Sequence, residues 1–226
     1  VDSYRADRAL AVSRIVSELY SPPRVSAAAK MLPSLKYLPG FALDLSTLDE
    51  HGRPWDFDIE ENRQRAKRMV LEQKPGLLIG TPMCAAFSAW QRINNQRRDP
   101  DLVCKEYQRA LAHLSFCCEL YNIQLQGGRY FLHEHPQQAR SWSEKVVQQL
   151  LAAPGVGKVT AHQCQFGACD SKGAPIKKPT CFMTNSAAIR DEFERTCIGR
   201  NGMCSFHPGV AHVKCCGMTA RRAAIF

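Results

Sequence analysis

Short apolar runs alternate along this chain with longer segments of helical periodicity, and this alternation restricts the fold more than any other feature. Such alternation is typical of α/β proteins, in which helices cover both faces of a mainly parallel sheet. The predicted strands are Ile15–Tyr20, Phe41–Leu45, Leu77–Gly80, Tyr130–His133, Lys158–Ala161 and Cys181–Thr184. The predicted helices are Val25–Leu32, Ile59–Glu72, Glu106–Tyr121 and Ser143–Ala152. We therefore expect an α/β fold.

The composition changes near the end of the chain. A polar, basic loop is predicted at Asn94–Pro100 and a Gly- and Lys-rich loop at Phe166–Lys178, but from Cys197 onward Cys, His and Gly predominate. With 226 residues, the chain is long enough for one main α/β domain and a small appendage. We place the α/β domain at residues 1–195 and the Cys/His-rich terminal segment at residues 196–226.

The chain is basic, with 30 Lys and Arg residues against 21 Asp and Glu residues, a formal net charge of +9. This charge favours a polyanionic partner such as nucleic acid, although many basic proteins bind none. No apolar run approaches the roughly 18 to 20 residues that a membrane span requires. The 11 cysteines are an odd number spread along the sequence, which favours a reducing compartment. We expect an intracellular protein, nuclear if the source is eukaryotic.

Cys84 lies in the turn that follows the predicted strand Leu77–Gly80, within the run LLIGTPMCAAFS. A turn of this kind presents a thiol at the carboxyl edge of a sheet, where it can act as a nucleophile. A cysteine considered alone is more often a small buried apolar residue. The assignment of Cys84 therefore depends on the other motifs.

A second motif is the strand Tyr130–His133 with the residues that follow it, Glu134, His135 and Pro136. Sequential strands are often neighbours, so Glu134 is expected beside Cys84 at the same edge of the sheet. A glutamate at a strand end is usually solvated or ion-paired when nothing else accompanies it. Strand alternation places His133 and His135 on one face and Glu134 on the other, which argues against a metal site made of these three.

A third motif is the run Gln163-Cys164-Gln165-Phe166-Gly167, followed by Lys177-Lys178-Pro179-Thr180 and Phe182-Met183-Thr184-Asn185. The two lysines either form a solvated loop or contact phosphate groups.

The three motifs together resemble those of the DNA cytosine-5 methyltransferases. Pro82-x-Cys84-x-x-Phe87-Ser88 is similar to that family's nucleophile motif Pro-Pro-Cys-Gln-x-Phe-Ser, and Glu134 matches the acid of its Glu-Asn-Val strand. The third motif is similar to the Tyr-Gly, Lys-Pro-Thr, Thr-Asn succession of phage-type members. The resemblance implies a Rossmann-like class I methyltransferase fold, with Cys84 as nucleophile and Glu134 as its partner acid. It also implies DNA-substrate contacts from Ser88, Gln91, Gln165, Lys178 and Thr180.

The resemblance implies S-adenosylmethionine as methyl donor. Its binding residues would be Glu18, Tyr20, Asp44, Asp56 and Pro82, with Asp58 as an alternative to Asp56. The family's glycine-rich turn is replaced here by Ser21-Pro22-Pro23-Arg24. Proline lacks the backbone donor and the conformational freedom that a close approach of the cofactor uses.

Two functions of different classes therefore stay open. One is methyl transfer to C5 of cytosine through a Cys84 adduct, with RNA not excluded as substrate. The other is a catalytically inactive methyltransferase-like module that binds nucleic acid or a partner protein. A cysteine-dependent enzyme acting on another small substrate is a third hypothesis, supported only by the thiol. Sequence recognition could come from other domains of a longer parent protein, of which a mobile-element polyprotein is one type.

Cys197, Cys204, His207 and His212 form a candidate metal site in the terminal segment. Thiolate and imidazole are ligands that suit tetrahedral zinc, although the spacing matches no common zinc-finger pattern. Cys164, Cys169, Cys181, Cys215 or Cys216 could replace any of the four, and ordinary buried cysteines are the alternative.

Overall fold

A computed structural model describes residues 13–88 and 91–213 of the chain. The described residues form an α/β structure with a six-stranded sheet. Its strands are β1 (Ile15–Leu19), β2 (Leu38–Leu43), β3 (Leu77–Gly80), β4 (Tyr130–Pro136), β5 (Gly157–His162) and β6 (Pro179–Thr184). Its helices are α1 (Val25–Met31), α2 (Glu60–Gln73), α3 (Gln91–Asn94), α4 (Pro100–Gln126), α5 (Lys145–Leu151) and α6 (Ala187–Phe193). The predicted α/β class is confirmed.

The strand order is β2-β1-β3-β4-β6-β5. Strands β1 to β4 pair in parallel, whereas β6 runs antiparallel to both β4 and β5. The sheet is therefore mainly parallel, as predicted, with one reversed strand. The chain leaves β1 for β2 on one side and later enters β3 on the other side, which makes a topological switch point between β1 and β3. Ligands of open α/β sheets bind at such a point, beyond the carboxyl ends of the strands.

Helices cover both faces of the sheet. On one face, Leu78 and Phe131 pack in the main core with α2, α4 and α5. On the other face, Val16, Ile79 and Leu132 form a smaller cluster that includes side chains of α6, and α1 packs against β1 and β2. Neighbouring residues of one strand thus belong to different cores, because side chains of a strand point alternately to its two faces.

Helix α4 is longer than the predicted Glu106–Tyr121. It begins at Pro100 because the Asp99 side chain accepts a hydrogen bond from the Asp101 backbone N–H at 2.9 Å and proline is favourable in the first turn. The predicted loop Asn94–Pro100 consequently contains a 3-10 turn, Asn95–Arg97, and the start of this helix.

Strand β2 and helix α6 also differ from the sequence prediction. Strand β2 occupies Leu38–Leu43 and not Phe41–Leu45, since its pairing with β1 begins at Leu38. Helix α6 was not predicted. It begins after Ser186, whose hydroxyl accepts a hydrogen bond from Ile189 N–H at 3.3 Å.

The described part of the terminal segment contacts the α/β domain through a backbone hydrogen bond. Val213 N donates to Pro175 O at 3.1 Å. Within residues 13–88 and 91–213, no helix has the length and apolar character needed to cross a membrane.

Candidate functional site

Cys84 lies just beyond the carboxyl end of β3. The chain leaves the strand at Gly80, passes through Thr81-Pro82-Met83, and enters a 3-10 turn at Ala85–Phe87 that begins directly after Cys84. Phe87 is fully buried and fixes the far side of this turn. A Cβ atom at Gly80 would lie 2.0 Å from the Tyr121 hydroxyl, so only glycine fits at the point where the strand ends. We call residues 81–84 the nucleophile loop, after the role that the family resemblance predicts for Cys84.

Glu134 lies on the neighbouring strand β4, at the same edge of the sheet. Gly80, the last residue of β3, is paired with His133, so Glu134 is the first β4 residue beyond the end of β3. The negative charge of Glu134 raises the pKa of the Cys84 thiol. The predicted placement of Cys84 and Glu134 at one carboxyl edge is therefore borne out by the geometry.

Lys178 is the third member of this cluster. It immediately precedes β6, and because β6 runs antiparallel to β4, the start of β6 lies at the edge where β3 and β4 end. Its positive charge lowers the pKa of both Cys84 and Glu134. Lys178, predicted as a substrate contact, is thus placed where its charge acts on both the thiol and the acid.

The protonation of this cluster follows from its burial. Burial raises the pKa of the Cys84 thiol above its ordinary value, the negative charge of Glu134 raises it further, and Lys178 opposes both. Burial also raises the pKa of Glu134, against the charges of Lys178 and Arg24. The resting site therefore favours a neutral thiol and makes the carboxyl group easier to protonate than an exposed glutamate.

Two side-chain oxygens near this edge are buried with no hydrogen-bond partner among the described residues. They are Oε1 of Glu134 and Oε1 of Gln163. Gln163 Nε2 donates to the Thr180 hydroxyl at 3.4 Å, and the Gln163 backbone N–H donates to Lys178 O at 3.2 Å. Unsatisfied buried acceptors are costly, so both oxygens are suited to donors brought by a ligand. Gln163 belongs to the third sequence motif, but its sequence position did not indicate a role.

Thr180, predicted as a substrate contact, is completely buried on β6. Its strand position pairs with Pro136, and its hydroxyl also lies 3.4 Å from Lys178 O. Thr180 therefore supports Gln163 and the chain at Lys178 and does not line the open cleft.

His133 and His135 lie on the face of β4 opposite to Glu134, as predicted from strand alternation. Both rings are buried and pack edge-on against Trp142. His135 Nε2 donates to the carbonyl oxygen of Pro82 at 2.9 Å, and its Nδ1 lies 2.6 Å from the Ser141 hydroxyl. Burial lowers the pKa of His135 to about 4, so this ring is neutral near pH 7. It holds the nucleophile loop through Pro82, a role that the sequence did not indicate.

A cavity of about 180 Å³ lies beside the nucleophile loop. Thr81 and Met83 of that loop line it, together with residues at the carboxyl ends of β1 and β2. It includes three of the predicted cofactor contacts, Tyr20, Asp44 and Asp56. Pro82, also predicted there, is buried and bound through its carbonyl by His135.

Polar groups in this cavity are organised by α4. The Tyr20 hydroxyl lies 2.8 Å from His113 Nδ1, and His113 Nε2 lies 3.0 Å from Asp58 Oδ1, which Arg109 also contacts. Burial raises the pKa of Tyr20 far above its ordinary value. Asp44 Oδ1 accepts hydrogen bonds from the backbone N–H and the hydroxyl of Ser46 at 2.9 and 2.6 Å.

Glu18, predicted as a cofactor contact, has a different environment. It is buried, and its carboxylate accepts hydrogen bonds from the backbone N–H groups of Arg24, Val25 and Ser26 and from the Ser26 hydroxyl, at 2.6 to 3.2 Å. These donors belong to the first turn of α1. Glu18 thus stabilises the segment that contains Pro22 and Pro23, and its contacts are with the protein.

The remaining predicted substrate contacts, Ser88, Gln91 and Gln165, lie in three different environments. Ser88 closes the 3-10 turn after Cys84 through a backbone bond to Ala85 O. Gln91 lines a separate cavity of about 350 Å³ that also contains Tyr107 and Arg140. Gln165 Nε2 donates to the sulfur atoms of Cys164 and Cys204, at 3.6 and 4.0 Å, so its side chain is directed toward these cysteines.

A group of potential metal ligands occupies the junction of the α/β domain and the terminal segment. One sulfur or nitrogen atom from each of Cys164, Cys197, Cys204 and His212 lies within 4.8 Å of each of the others. Three of these residues were predicted, but Cys164 stands in the place predicted for His207. His207 Nδ1 lies 3.8 Å from Cys204 Sγ and its Nε2 lies 3.7 Å from Cys169 Sγ, outside the group of four. Cys215 and Cys216 lie outside the described residues.

No protein-family model matches the chain. No curated protein matches it either.

Proposed function

We propose that this chain is a DNA cytosine-5 methyltransferase-like domain of the Rossmann-like class I type, which methylates C5 of cytosine through a covalent Cys84 adduct. One observation carries the proposal. The nucleophile loop lies at the switch point of the sheet, where Cys84 is influenced by the charges of Glu134 and Lys178, and Thr81 and Met83 of the same loop line the cavity of Tyr20, Asp44 and Asp56. This arrangement suits a transfer between a bound cofactor and a base that meet at one loop.

In this mechanism the Cys84 sulfur bonds to C6 of the cytosine ring, and electron density moves to C5 and N3. Protonated Glu134 donates a hydrogen bond or its proton at N3, for which its raised pKa is suitable. C5 would gain the methyl group as the methyl–sulfonium bond breaks and leaves a neutral thioether; a base then removes the C5 proton, the Cys84–C6 bond breaks and the thiolate leaves. The charge of Lys178 favours the thiolate both when it attacks C6 and when it leaves.

S-adenosylmethionine would supply an electrophilic methyl group on a sulfonium centre. The cavity offers groups that suit such a ligand: the carboxylates of Asp44 and Asp56 can accept hydrogen bonds from ribose hydroxyl or adenine amino groups, and Tyr20, Trp55 and Phe57 provide aromatic surface. Its volume of about 180 Å³ is below the roughly 300–1,000 Å³ of ordinary ligand pockets, so binding requires the surrounding loops to open.

The proposed partner is DNA, with RNA as an alternative substrate, and the net charge of +9 supports a polyanion. A cytosine must leave the base stack to reach both Cys84 and Glu134. We place the protein inside the cell, in the nucleus of a eukaryotic source, with sequence recognition supplied by other domains of a longer parent protein.

The second candidate is a catalytically inactive methyltransferase-like module that binds nucleic acid or a partner protein. The Glu18 environment and the small cavity favour it, because the segment Ser21-Pro22-Pro23-Arg24 is fastened to Glu18 and offers few backbone donors to a cofactor.

Calorimetric titration with S-adenosylmethionine separates the two candidates. Saturable micromolar binding that is lost in Asp44→Ala and retained in Asp49→Ala, an acid outside the cavity, supports the enzyme. No binding to well-folded protein would favour the inactive module.

A further inference from the structure

The cluster of Cys164, Cys197, Cys204 and His212 joins two parts of the chain that are distant in sequence. Cys164 belongs to the 3-10 turn Gln163–Phe166 that follows β5, whereas the other three lie after α6. We propose that these four side chains bind one Zn²⁺ ion in tetrahedral geometry, and that the ion fastens the Gln163 turn to the terminal segment.

The spacing of the ligand atoms supports this proposal. Zinc lies about 2.3 Å from sulfur and about 2.0–2.1 Å from nitrogen, so a tetrahedral site separates S and N by roughly 3.5 Å. Cys197 Sγ lies 3.5 Å from His212 Nε2, and all four ligand atoms lie within 4.8 Å of one another. The four atoms are therefore already arranged around a volume of the right size for one ion.

The atoms around the ligands are placed as a zinc site requires. His212 Nδ1 donates to the carbonyl oxygen of Gly202 at 2.8 Å, which leaves Nε2 with a free electron pair directed at the cluster. The Ser205 backbone N–H donates to Cys197 Sγ at 3.3 Å, and Gln165 Nε2 donates to Cys164 Sγ at 3.6 Å. Such donors stabilise the negative charge of thiolates that bind a metal ion.

The alternatives account less well for the cluster. The three buried cysteines pack together in a group of their own, separate from the two apolar cores. They are free thiols, and a disulfide between two of them would leave the third cysteine and the oriented histidine without a role. Three thiolates and one imidazole are a ligand set that structural zinc sites use.

The ion would also stabilise residues near Cys84 that do not contact the metal. The Gln163 backbone N–H donates to Lys178 O, and Cys197 N–H donates to His162 Nδ1 at 2.8 Å, so the turn, the start of β6 and the terminal segment form one connected unit. Zinc therefore supports the segment that carries Gln163 and Lys178. The metal site itself does not depend on the methyltransferase proposal.

Metal analysis of the purified full chain tests the ligand set. We expect about one equivalent of zinc in the wild-type protein, and loss of it in Cys164→Ser and His212→Ala. Cys169→Ser and His207→Ala are matched controls that should retain the metal, since both residues lie outside the group of four. Retention in His212→Ala together with loss in His207→Ala would overturn the proposed set.

Cobalt substitution of the wild-type protein tests the site even if a variant fails to fold. Co²⁺ should give intense visible bands of tetrahedral coordination and sulfur-to-metal charge-transfer bands whose strength corresponds to three thiolates. A mercurial reagent that reacts with the thiolates should release the Co²⁺ stoichiometrically and abolish both sets of bands. Weak octahedral bands, or folded wild-type protein that takes up neither Zn²⁺ nor Co²⁺, would contradict the proposal.

Discussion

The charge of Lys178 lowers the pKa of both Cys84 and Glu134. This effect favours the role proposed for Cys84 and opposes the role proposed for Glu134. By lowering the pKa of Cys84 it favours the nucleophilic thiolate, but by lowering the pKa of Glu134 it disfavours the protonated acid. Burial has the reverse effect on each group. The site thus balances two requirements that one charge cannot satisfy together, and substitution of Lys178 should separate them.

Lys178→Met should raise the pKa of Cys84. Alkylation of Cys84 by iodoacetamide depends on the thiolate, so its rate rises with pH through the thiol pKa, and the midpoint should move to higher pH in the variant. Peptide mass spectrometry can follow Cys84 separately from the other cysteines. Lys177→Met is the matched control, and an equal shift in that variant, or none in Lys178→Met, would show that Lys178 does not act on the thiol.

Glu134→Gln should slow methyl transfer while DNA binding is retained. The variant cannot protonate N3, and loss of one group that stabilises charge in a transition state typically costs about 10²–10³-fold in rate. Single-turnover transfer of labelled methyl groups measures the rate, and a filter-binding assay measures DNA affinity. Wild-type rates in Glu134→Gln would remove Glu134 from the mechanism.

At the scale of elements, β4 has two faces with separate tasks. Glu134 points toward the α1 side and the cleft, whereas His135 points toward the opposite core and holds Pro82 of the nucleophile loop. One strand therefore contains Glu134, the proposed acid, and also positions the loop that contains Cys84, the proposed nucleophile. The strand is linked to the loop by a single hydrogen bond from the neutral His135 ring, so substitution of His135 can test this link.

His135→Leu should destabilise the protein by about 1–3 kcal/mol, because the buried Pro82 carbonyl would lose its donor. Because the pKa of His135 is lowered in the folded protein, protonation of the ring favours the unfolded state. Wild-type stability should therefore fall as the pH approaches 4 from above. Chemical denaturation at several pH values measures both effects. His135→Gln, which can keep a donor near Pro82, should recover part of the loss, and equal stability of all three proteins would refute the role.

For the whole molecule, the sequence was sufficient to predict the elements with strong local signals. β3 is a continuous apolar run between turns, and its bounds match the prediction. β4 extends beyond the predicted end at His133 to Pro136, because pairing with β6 continues there, and this pairing is not visible in the local pattern.

The site was predictable where order along the chain determines position in the sheet. Cys84 follows β3, and Glu134 lies in the parallel neighbour β4 just beyond the end of β3, so both were expected at one edge. Cys164 could not be selected as a metal ligand by spacing, since its partners lie beyond β6 and α6. The environment of Glu18 depends on how the proline segment folds back over the end of β1, which no motif specifies.

The measurement that tests the central claim most directly is covalent trapping of Cys84 by DNA that contains 5-fluorocytosine. Fluorine at C5 cannot be removed as a proton after methyl transfer, so the Cys84–C6 bond should persist as a denaturant-resistant complex. We predict that this complex forms only with S-adenosylmethionine, maps to Cys84 by peptide mass spectrometry, and is absent in the nearly isosteric Cys84→Ser. Wild-type protein that binds both S-adenosylmethionine and DNA but forms no adduct in any cytosine context would contradict the account.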